Sequence, residues 1–521
     1  MISTHVEKVE YRDDAAGLFQ FLGATVRDDS VLLEGADIAS KKKTTCLAIV
    51  RGAARVTCSG PRVSIEALSD IGCHIIDDLA VQLSDYRCEH SSDLLVVEFP
   101  PSNEIDERAR LLAINNTHVL RLLALHASYS GQILPFLAGG FAFDLLETFE
   151  ELPPVAMGHN SYPDYQFLVA EEILRINHRE RTADIEVLGL SAEAATQRAL
   201  QLKEQISHAP QHFPSDVPPV GEEEPLQARA DLSDSVFCAH IARLKEAIYS
   251  GDIYQVVPAR TFTLECPDAF AAYKVLRETN PSPYMFYVRG KESAAGESFE
   301  LFGASPESNL TFDHRSREVQ LYPIAGTRPR GLNSDGSINE ELDIRQELVM
   351  RTDAKEIAEH IMLVDLARND LARVSIPATR RVDELLHVDR YSRVMHLVSR
   401  VTATLHPEVD ALDAYRACMN MGTLTGAPKL RAVSLLREVE QQRRGSYGGA
   451  LGYVRGDGSL DSCIIIRSAF VKDGQAAVQA GAGVVRDSSP QAEADETVHK
   501  AYAVLDAIAQ AAGRKLEVER S

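Results

Sequence analysis

Two acidic pairs in the second half of the chain have a spacing that suits metal ligation. Glu356 and Glu359 stand three residues apart, and Glu493 and Glu496 repeat that interval near the C-terminus. Residues at i and i+3 share one face of a helix. Two such faces across a cleft would supply the hard oxygen ligands that Mg²⁺ prefers. Solvated helix faces carry the same spacing more often, so the pattern alone leaves both interpretations open.

A second candidate is the segment Pro-Ile-Ala-Gly-Thr-Arg-Pro-Arg-Gly at 323–331. Two prolines and two glycines within nine residues exclude a helix or a central strand and predict a shaped loop. Small Ala325 and the neighbouring backbone could approach a ligand closely. Arg328 and Arg330 indicate an anionic partner, because guanidinium matches carboxylate geometry. A tight turn with solvated arginines is the alternative.

Three further features could bind or transform an anion. His396 stands among Val394, Met395 and Leu397, a pattern that by itself favours a packed core histidine. Arg467 lies in a strand-like Ile-Ile-Ile-Arg run and could equally be a buried ion-pair residue. The glycine-rich segment 479–485 could offer backbone amides to an anion.

The elements that would position these residues alternate between strands and helices. Strand-like runs occur at 31–33, 45–50, 94–99, 259–264 and 301–303, and helical periodicity occurs at 111–129, 192–205, 234–250, 343–370 and 490–513. We predict an α+β fold of two large, mainly antiparallel sheets packed together with helices outside. A segment rich in Pro, Ser and acidic residues predicts a linker at 207–234 between an N-terminal domain (1–206) and a C-terminal catalytic domain (235–521).

Composition excludes several classes of function. With 45% hydrophobic and 25% charged residues, the 521-residue chain is typical of soluble proteins. Its net charge of −22 argues against nucleic acid as a partner, since phosphate is bound by basic groups. No signal segment and no apolar run long enough for a bilayer is seen, so we expect a cytoplasmic protein without a membrane partner. The eight cysteines show no CxxC pair and predict reduced thiols.

An ordered set of longer motifs carries a family resemblance. These are NPSPYMFY (280–287), FGASPES (302–308), LVDLARNDLARV (363–374), DRYSRVMHLVSRV (389–401), YRACMNMGTLTGAPKLRA (415–432), RRGSYGGALGY (443–453) and IIIRSA (464–469). With the PIAGT segment they resemble the chorismate-utilising enzymes, and in particular the large subunits of anthranilate synthases. The resemblance covers about 237–508 closely and the N-terminal half more loosely.

The resemblance implies a role for each candidate residue. Glu359 and Glu496 would be the Mg²⁺ ligands, with Glu307, Glu356 and Glu493 as acidic neighbours. Chorismate would be bound by Gly326, Thr327, Tyr447, Arg467, Gly481, Ala482 and Gly483. His396 would be the acid–base group, with Thr327 and Gln255 as further catalytic positions.

The product is implied by two positions. Relatives that activate water carry lysine where this chain has Gln255, so glutamine favours ammonia as the nucleophile. Relatives that form the para-amino isomer usually carry lysine where this chain has Ala325. Together they predict anthranilate and pyruvate, formed through aminodeoxyisochorismate. An aminodeoxyisochorismate synthase that stops before pyruvate loss, and a catalytically idle regulatory subunit, remain alternatives.

Ammonia supply and regulation complete the expectations. No segment resembles a glutamine amidotransferase nucleophile elbow, so the resemblance implies a separate amidotransferase subunit and a heterotetramer of two subunits of each kind. The family's tryptophan site implies Glu34, Gly35, Pro283, Tyr284 and Met285, supported by Arg400 and Cys463. Glycine at 35, where the family has serine, predicts weakened tryptophan inhibition and anthranilate for secondary metabolites such as quinolones or phenazines. A tolerated variant in a working site is the alternative.

Overall fold

The computed structural model describes residues 2–37, 40, 42–213, 217–221, 224–293, 296–333, 337–390 and 394–520, without the side chains of Thr327 and Lys355. The α-helices of this part are α1 (Ala15–Phe21), α2 (Asp70–Gln82), α3 (Glu107–Leu112), α4 (His118–Leu125), α5 (Ala192–Ser207), α6 (Asp234–Tyr249), α7 (Ala269–Thr279), α8 (Glu340–Thr352), α9 (Ala354–Ala372), α10 (Ala411–Cys418), α11 (Lys429–Glu440) and α12 (Pro490–Ala511). Short 3₁₀ helices span Ser84–Tyr86 and Phe143–Thr148. None of the helices described could cross a membrane.

The strands come from both halves of the chain. They are β1 (Ser3–Val9), β2 (Ser30–Ala36), β3 (Lys43–Ser59), β4 (Arg62–Ala67), β5 (Arg87–His90), β6 (Leu94–Glu98), β7 (Phe136–Phe141), β8 (Tyr165–Asn177), β9 (Thr182–Gly189), β10 (Leu226–Ala230), β11 (Gln255–Val256), β12 (Ala259–Glu265), β13 (Tyr284–Lys291), β14 (Ser298–Ser305), β15 (Ser308–Asp313), β16 (Glu318–Leu321), β17 (Ile324–Pro329), β18 (Arg381–Arg390), β19 (Val394–Thr404), β20 (Gly426–Ala427), β21 (Ala450–Arg455), β22 (Leu460–Ile464), β23 (Ser468–Lys472), β24 (Gln475–Gly481) and β25 (Leu516–Glu519).

Pairing arranges these strands into two large sheets, apart from β11 and β20, which pair with each other. The first has the order β1-β9-β8-β3-β2-β13-β14-β23-β24-β12-β10-β25. The second has the order β5-β6-β4-β3-β8-β7-β21-β22-β15-β16-β19-β18. Strands β16 and β17 pair with successive parts of the same edge of β19. Among the pairs described, only β10 with β25 is parallel. The long strands β3 and β8 belong to both sheets, and their register shifts between Ile49 and Ala54, where they pass from one sheet to the other.

Two hydrophobic cores follow from this layering. One joins apolar residues of both sheets, among them Phe286, Leu301, Leu310 and Leu451. The other lies between the first sheet and helices α1, α5, α7 and α12. Burial of apolar area is the main stabilising term for such layers. The predicted α+β class, with mainly antiparallel sheets and helices outside, is confirmed.

Several element boundaries differ from the sequence predictions. The helix predicted at 111–129 is divided, because Asn115 accepts hydrogen bonds from the amide (3.0 Å) and hydroxyl (2.7 Å) of Thr117 and separates α3 from α4. The helix predicted at 343–370 is divided at Asp353, whose φ and ψ are −73° and 108°. Asp353 Oδ1 then accepts the amide of Glu356 at 3.2 Å and caps α9.

The PIAGT segment is a bulged edge strand, β17, and not the predicted loop. It pairs only with β19 among the strands described, and its register shifts between Ala325 and Thr327. Gly326 has φ of +77°, which only glycine adopts without strain. An edge strand tolerates Pro329, because its outer side needs no donor.

Candidate active site

The bulge of β17 brings a backbone carbonyl to His396. His396 Nδ1 lies 3.3 Å from Gly326 O. A Cβ added at Gly326 would stand 3.1 Å from Oε2 of Glu356, so helix α9 also approaches this point. The bulge therefore places His396, the PIAGT backbone and the first acidic helix around one centre. The backbone of Thr327 pairs with His396, but its side chain lies outside the described residues.

The two arginines of the segment bind carboxylates of the protein itself. Arg328 donates to Glu356 at 2.8 Å and to Asp353 at 2.9 Å. Arg330 donates to Asp343 from two nitrogens, at 2.7 and 3.0 Å. They fasten β17 to helices α8 and α9. The expectation that they take an anionic ligand is wrong, because these acidic helices lie directly beside them.

His396 is held in its neutral form. Burial lowers its pKa to about 4, and the positive charges of Arg467 and Lys500 act in the same direction, whereas the bond to Gly326 opposes them. A neutral ring with Nδ1–H directed to a carbonyl leaves Nε2 as an acceptor. At neutral pH this histidine is therefore an uncharged base and not an imidazolium acid.

Glu307 has the opposite state. Burial raises its pKa to about 8, against the hydrogen bond from Thr423 and the charges of Lys500 and Arg467. Thr423 Oγ1 donates to Glu307 Oε1 at 3.0 Å. Below pH 8 this side chain is a neutral carboxylic acid and can donate a proton.

Arg467 is a cation available to a ligand. Within the described residues no carboxylate lies within 4.0 Å of its guanidinium, and burial lowers its pKa. Its charge interacts with Tyr447, Glu496 and Glu307, which lie around it. Its φ is +51°, an uncommon conformation for a non-glycine residue and one that clusters at functional sites.

Lys500 connects helix α12 with the glycine-rich segment. Its Nζ donates to Gly481 O at 2.9 Å and forms an ion pair with Glu496 at 2.6 Å. Neither Lys500 nor Thr423 was among the residues predicted from sequence. The signal for Lys500 was its place four residues after Glu496, and Thr423 lies in the recognised segment 415–432.

The glycine-rich segment forms one wall beside Tyr447 and Gln255. A Cβ at Gly481 would lie 3.1 Å from Tyr447 Oη, and one at Gly483 would lie 3.2 Å from Gln255 Nε2. The amide of Ala482 donates to Pro258 O at 3.1 Å, so this amide is already used within the protein. Burial raises the pKa of Tyr447 to about 12, and it stays a phenol.

The side chain of Gln255 contributes a buried hydrogen-bond acceptor to this wall. The residue is 6% exposed, and its Oε1 is buried without a hydrogen-bond partner in the described structure. A buried acceptor left unpaired costs free energy that a ligand donor would recover. Gln255 thus offers a place for a small N–H donor.

The acidic pairs lie as predicted on α9 and α12, at the helix ends nearest the centre. Glu493 is buried, Glu356 is bound by Arg328 and Glu496 by Lys500. No group of three metal-ligating side chains occurs among the described residues. Mg²⁺ is commonly held by one or two carboxylates plus substrate oxygens and water. A donor set of Glu359 and Glu496, one from each helix, fits that chemistry.

A cavity of about 110 Å³ lies between the two sheets. The positions predicted for tryptophan line it together with Cys463, namely Glu34, Gly35, Pro283, Tyr284 and Met285. Arg400 does not line it and forms an ion pair with Glu384 at 3.1 Å.

The two carboxylates that line this cavity differ in whether a protein cation neutralises them. Glu34 accepts from Tyr273 at 2.6 Å and pairs with Arg277 at 3.2 Å, so its charge is neutralised by helix α7. Asp461 is the other carboxylate of the lining and accepts from Tyr284 Oη at 3.2 Å. Burial raises the pKa of Asp461 to about 6.

Gly35 faces a bulge of β3 rather than open space. A Cβ at Gly35 would stand 2.9 Å from Thr44 Oγ1, 3.2 Å from Pro283 O and 3.5 Å from Thr45 Oγ1. The register shift between Gly35 and Ala36 places both threonine hydroxyls near this point. A serine side chain at 35 would need Thr44 to move.

Comparison with known proteins finds relatives over nearly the whole chain. The family model described as chorismate binding enzyme matches residues 83–506. Anthranilate synthase component 1 of Vibrio cholerae is 47% identical over 505 residues, which covers 96% of this chain and 95% of the relative. The pyocyanine-specific anthranilate synthase component 1 of Pseudomonas aeruginosa is 45% identical over 516 residues, covering 97% and 94%.

A solved structure shows the same fold. Anthranilate synthase component I from Streptococcus pneumoniae superposes with a TM-score of 0.68 at 26% identity, covering 88% of this chain and 92% of that one. The family match extends over most of the chain and the relatives over nearly all of it. The chain therefore belongs to the chorismate-binding enzyme family, within its anthranilate synthase component 1 branch.

Proposed function

We propose that this chain is the synthase subunit of an anthranilate synthase, a lyase that converts chorismate and ammonia to anthranilate, pyruvate and water. The observation that carries the proposal is the grouping of three residues around one centre, namely neutral His396, protonated Glu307 and Arg467, which has no carboxylate partner among the described residues. Near full-length similarity to proteins named anthranilate synthase component 1 supports it.

Amination needs a proton donor for the leaving hydroxyl. Ammonia attacks ring C2, the double bonds shift, and the C4 hydroxyl departs as water with the proton of Glu307. The added nitrogen releases one proton to solvent, and the Glu307 carboxylate takes up one proton from solvent, so the step balances overall. Gln255 Oε1 can accept a hydrogen from ammonia and hold it at C2.

Pyruvate loss needs a base. His396 Nε2 takes the hydrogen from C2, the C3–O bond breaks, and the ring becomes aromatic. The enolate that departs takes a proton at its methylene carbon to become pyruvate. Neutral imidazole is suited to this step, because the ring nitrogen that carries no hydrogen has a lone pair that can accept one.

The two carboxylates of chorismate need separate partners. Arg467 can bind one of them with two parallel hydrogen bonds. Glu359 and Glu496 would hold Mg²⁺, which supplies charge neutralisation to the other carboxylate when bound. Tyr447 Oη, with Gly326, Gly481 and Gly483, shapes the remaining wall, while Glu356 and Glu493 add negative charge close to the metal.

The ammonia source is proposed to be a glutamine amidotransferase subunit. The relatives' name, anthranilate synthase component 1, implies a second component. We propose a heterotetramer with two copies of each subunit, in which ammonia passes directly between active sites and so escapes protonation by solvent.

Tryptophan inhibition is proposed to be weakened. Gly35 lacks a side-chain hydroxyl, and Glu34 is neutralised by Arg277. An amino acid in this cavity keeps only Asp461 as a carboxylate partner for its ammonium group among the lining residues described. Production of anthranilate for secondary metabolites would require such release from feedback.

One assay separates the proposal from its alternatives. The purified chain is incubated with chorismate, Mg²⁺ and ammonium at raised pH, and products are identified by mass spectrometry. Anthranilate and pyruvate in equal amounts are expected. Accumulation of aminodeoxyisochorismate would identify a synthase without the lyase step, and absence of turnover would identify a regulatory subunit.

A further inference from the structure

A cavity of about 540 Å³ opens between helices α3, α9, α10 and the start of α11. None of the residues proposed above to bind chorismate, ammonia, Mg²⁺ or tryptophan lines it. Its volume lies in the range of small-molecule sites, roughly 300–1,000 Å³. We call it the cationic cavity.

The basic side chains of this cavity outnumber its acidic ones. Five basic residues line it, Arg110, Arg373, Arg416, Lys429 and Arg431, against three acidic residues, Glu107, Glu150 and Asp370. The difference of two positive charges occurs in a chain whose net charge is −22. A local excess of this kind concentrates anions.

Most of these basic groups already have a carboxylate partner. Lys429 pairs with Asp370 at 2.7 Å and Arg373 with Glu107 at 2.6 Å. Arg110 lies 3.9 Å from Glu150. Arg431 pairs at 2.6 Å with Asp252, which is outside the cavity lining.

Arg416 is the exception. In the described part of the chain no carboxylate lies within 4.0 Å of it. Its Nη1 donates to the carbonyl oxygens of Arg110 (3.0 Å) and Leu111 (3.2 Å), and its guanidinium stacks 4.2 Å from the ring centre of Phe149. These contacts hold the group in one orientation at the cavity wall. Burial lowers its pKa to about 10, so it stays charged at neutral pH.

The start of helix α11 lies at the same cavity. Its N-cap residue, Pro428, makes no side-chain cap, and its first turn has no acidic residue. Pro428, Lys429, Leu430 and Arg431 all line the cavity. Uncapped amides at a helix start carry partial positive charge and favour anions.

We propose that the cationic cavity binds a small oxyanion, a phosphate- or carboxylate-bearing molecule, with Arg416 as its main charged partner. A recessed cavity of ligand size with a pre-oriented guanidinium fits a small molecule better than an acidic segment of a partner subunit. This inference does not depend on the proposed catalytic function.

Phosphate titration by calorimetry tests the proposal. An Arg467→Gln background removes the unpaired arginine of the active site, so that binding there does not contribute. We expect one phosphate to bind per chain, with potassium chloride at matched ionic strength giving no heat. Adding Arg416→Gln should weaken binding about 10-fold or more, since a charge-assisted bond is lost.

Two further variants serve as controls for misfolding and for a general change in surface charge. Arg431→Gln, at a half-exposed cavity position, should weaken phosphate binding less than Arg416→Gln and leave the unfolding temperature unchanged. Arg368→Gln, on α9 but outside the cavity, should bind like the background protein. Malonate in place of phosphate distinguishes a carboxylate from a phosphate preference.

Three results would contradict the proposed anion site. No phosphate or malonate binding in the Arg467→Gln protein would refute the site. Undiminished binding in a folded Arg416→Gln protein would also refute it. Loss of amidotransferase association on Arg416→Gln, without small-anion binding, would reassign the cavity to a protein partner.

Discussion

Glu307 and His396 are both uncharged near neutral pH, because burial raises the pKa of the carboxyl and lowers that of the imidazole. Burial keeps the carboxyl neutral up to about pH 8 and the imidazole neutral down to about pH 4. An acid and a base that are both uncharged between those values coexist without a salt bridge between them. Sequence resemblance assigned the acid–base role to His396 alone, because a pKa shift produced by burial cannot be read from residue types.

Glu307→Gln should reduce amination about 10²–10⁴-fold, the usual contribution of a positioned proton donor. Glutamine can still accept from Thr423, so the fold should be retained. The rate of chorismate consumption with ammonium measures the effect. Glu297→Gln, at an exposed position, is the control, and a normal rate for Glu307→Gln would contradict the assignment.

The raised pKa of Glu307 should also make the free energy of unfolding depend on pH. Glu307 binds its proton more tightly in the folded chain, where its pKa is about 8, than at its ordinary value of 4.5. Its contribution to folding is therefore fully present below pH 4.5 and lost as pH rises to 8. The free energy of unfolding, measured with denaturant, should fall for the parent chain between pH 5 and pH 8. For Glu307→Gln it should fall by a smaller amount over the same interval.

His396→Gln should separate the two chemical steps. Glutamine lacks a basic nitrogen, so removal of the C2 hydrogen should slow more than amination does. We expect aminodeoxyisochorismate to accumulate and anthranilate formation to fall about 100-fold, as measured by quantitative mass spectrometry. His387→Gln, on exposed β18, should behave like the parent, whereas an unchanged product ratio for His396→Gln would exclude the role.

At the scale of elements, the positions of functional residues depend on irregularities. The bulge in β17 directs Gly326 toward His396, and the shift between β2 and β3 places two threonines beside Gly35. Proline and glycine content predicted that the PIAGT segment is irregular. It could not predict an edge strand, because the pairing with β19 is set by residues about 70 positions away.

The β3 bulge leads to a prediction about tryptophan. Gly35→Ser alone should leave inhibition weak, because its Cβ would meet Thr44 Oγ1 at 2.9 Å. Gly35→Ser with Thr44→Ala removes this contact and restores one hydroxyl, worth about 0.5–1.5 kcal/mol. The half-inhibiting concentration of tryptophan should then fall about 2- to 13-fold. Half-inhibition of the parent at low micromolar tryptophan would refute the weakened site.

At the scale of the whole molecule, both halves of the chain build the same sheets. β2 pairs with β13 and β7 with β21, so each predicted domain supplies strands to the other's sheet. Composition predicted a linker at 207–234, but Leu226–Ala230 within it forms strand β10 and pairs with β25. Sequence periodicity also cannot reveal which distant strands become neighbours. The boundaries at 206 and 235 remain a proposal about chain segments.

Fragments test this interdependence. Neither 1–206 nor 235–521 should unfold cooperatively alone, because each would expose the unpaired edge of a central strand. Co-expressed, the two should associate and recover ammonium-dependent activity. Calorimetry of the intact chain should give one transition, and two well-separated transitions would show independent domains.

The pairing of β2 with β13 has a consequence for how such a chain evolves. The regulatory cavity is lined from both sides of that ladder, so its residues are encoded about 250 positions apart. A recombination event within the linker would join a foreign β2 to a resident β13 and change both the ladder and the cavity at once. Regulation in this lineage is therefore expected to change by single substitutions such as the one at Gly35, and seldom by exchange of gene halves.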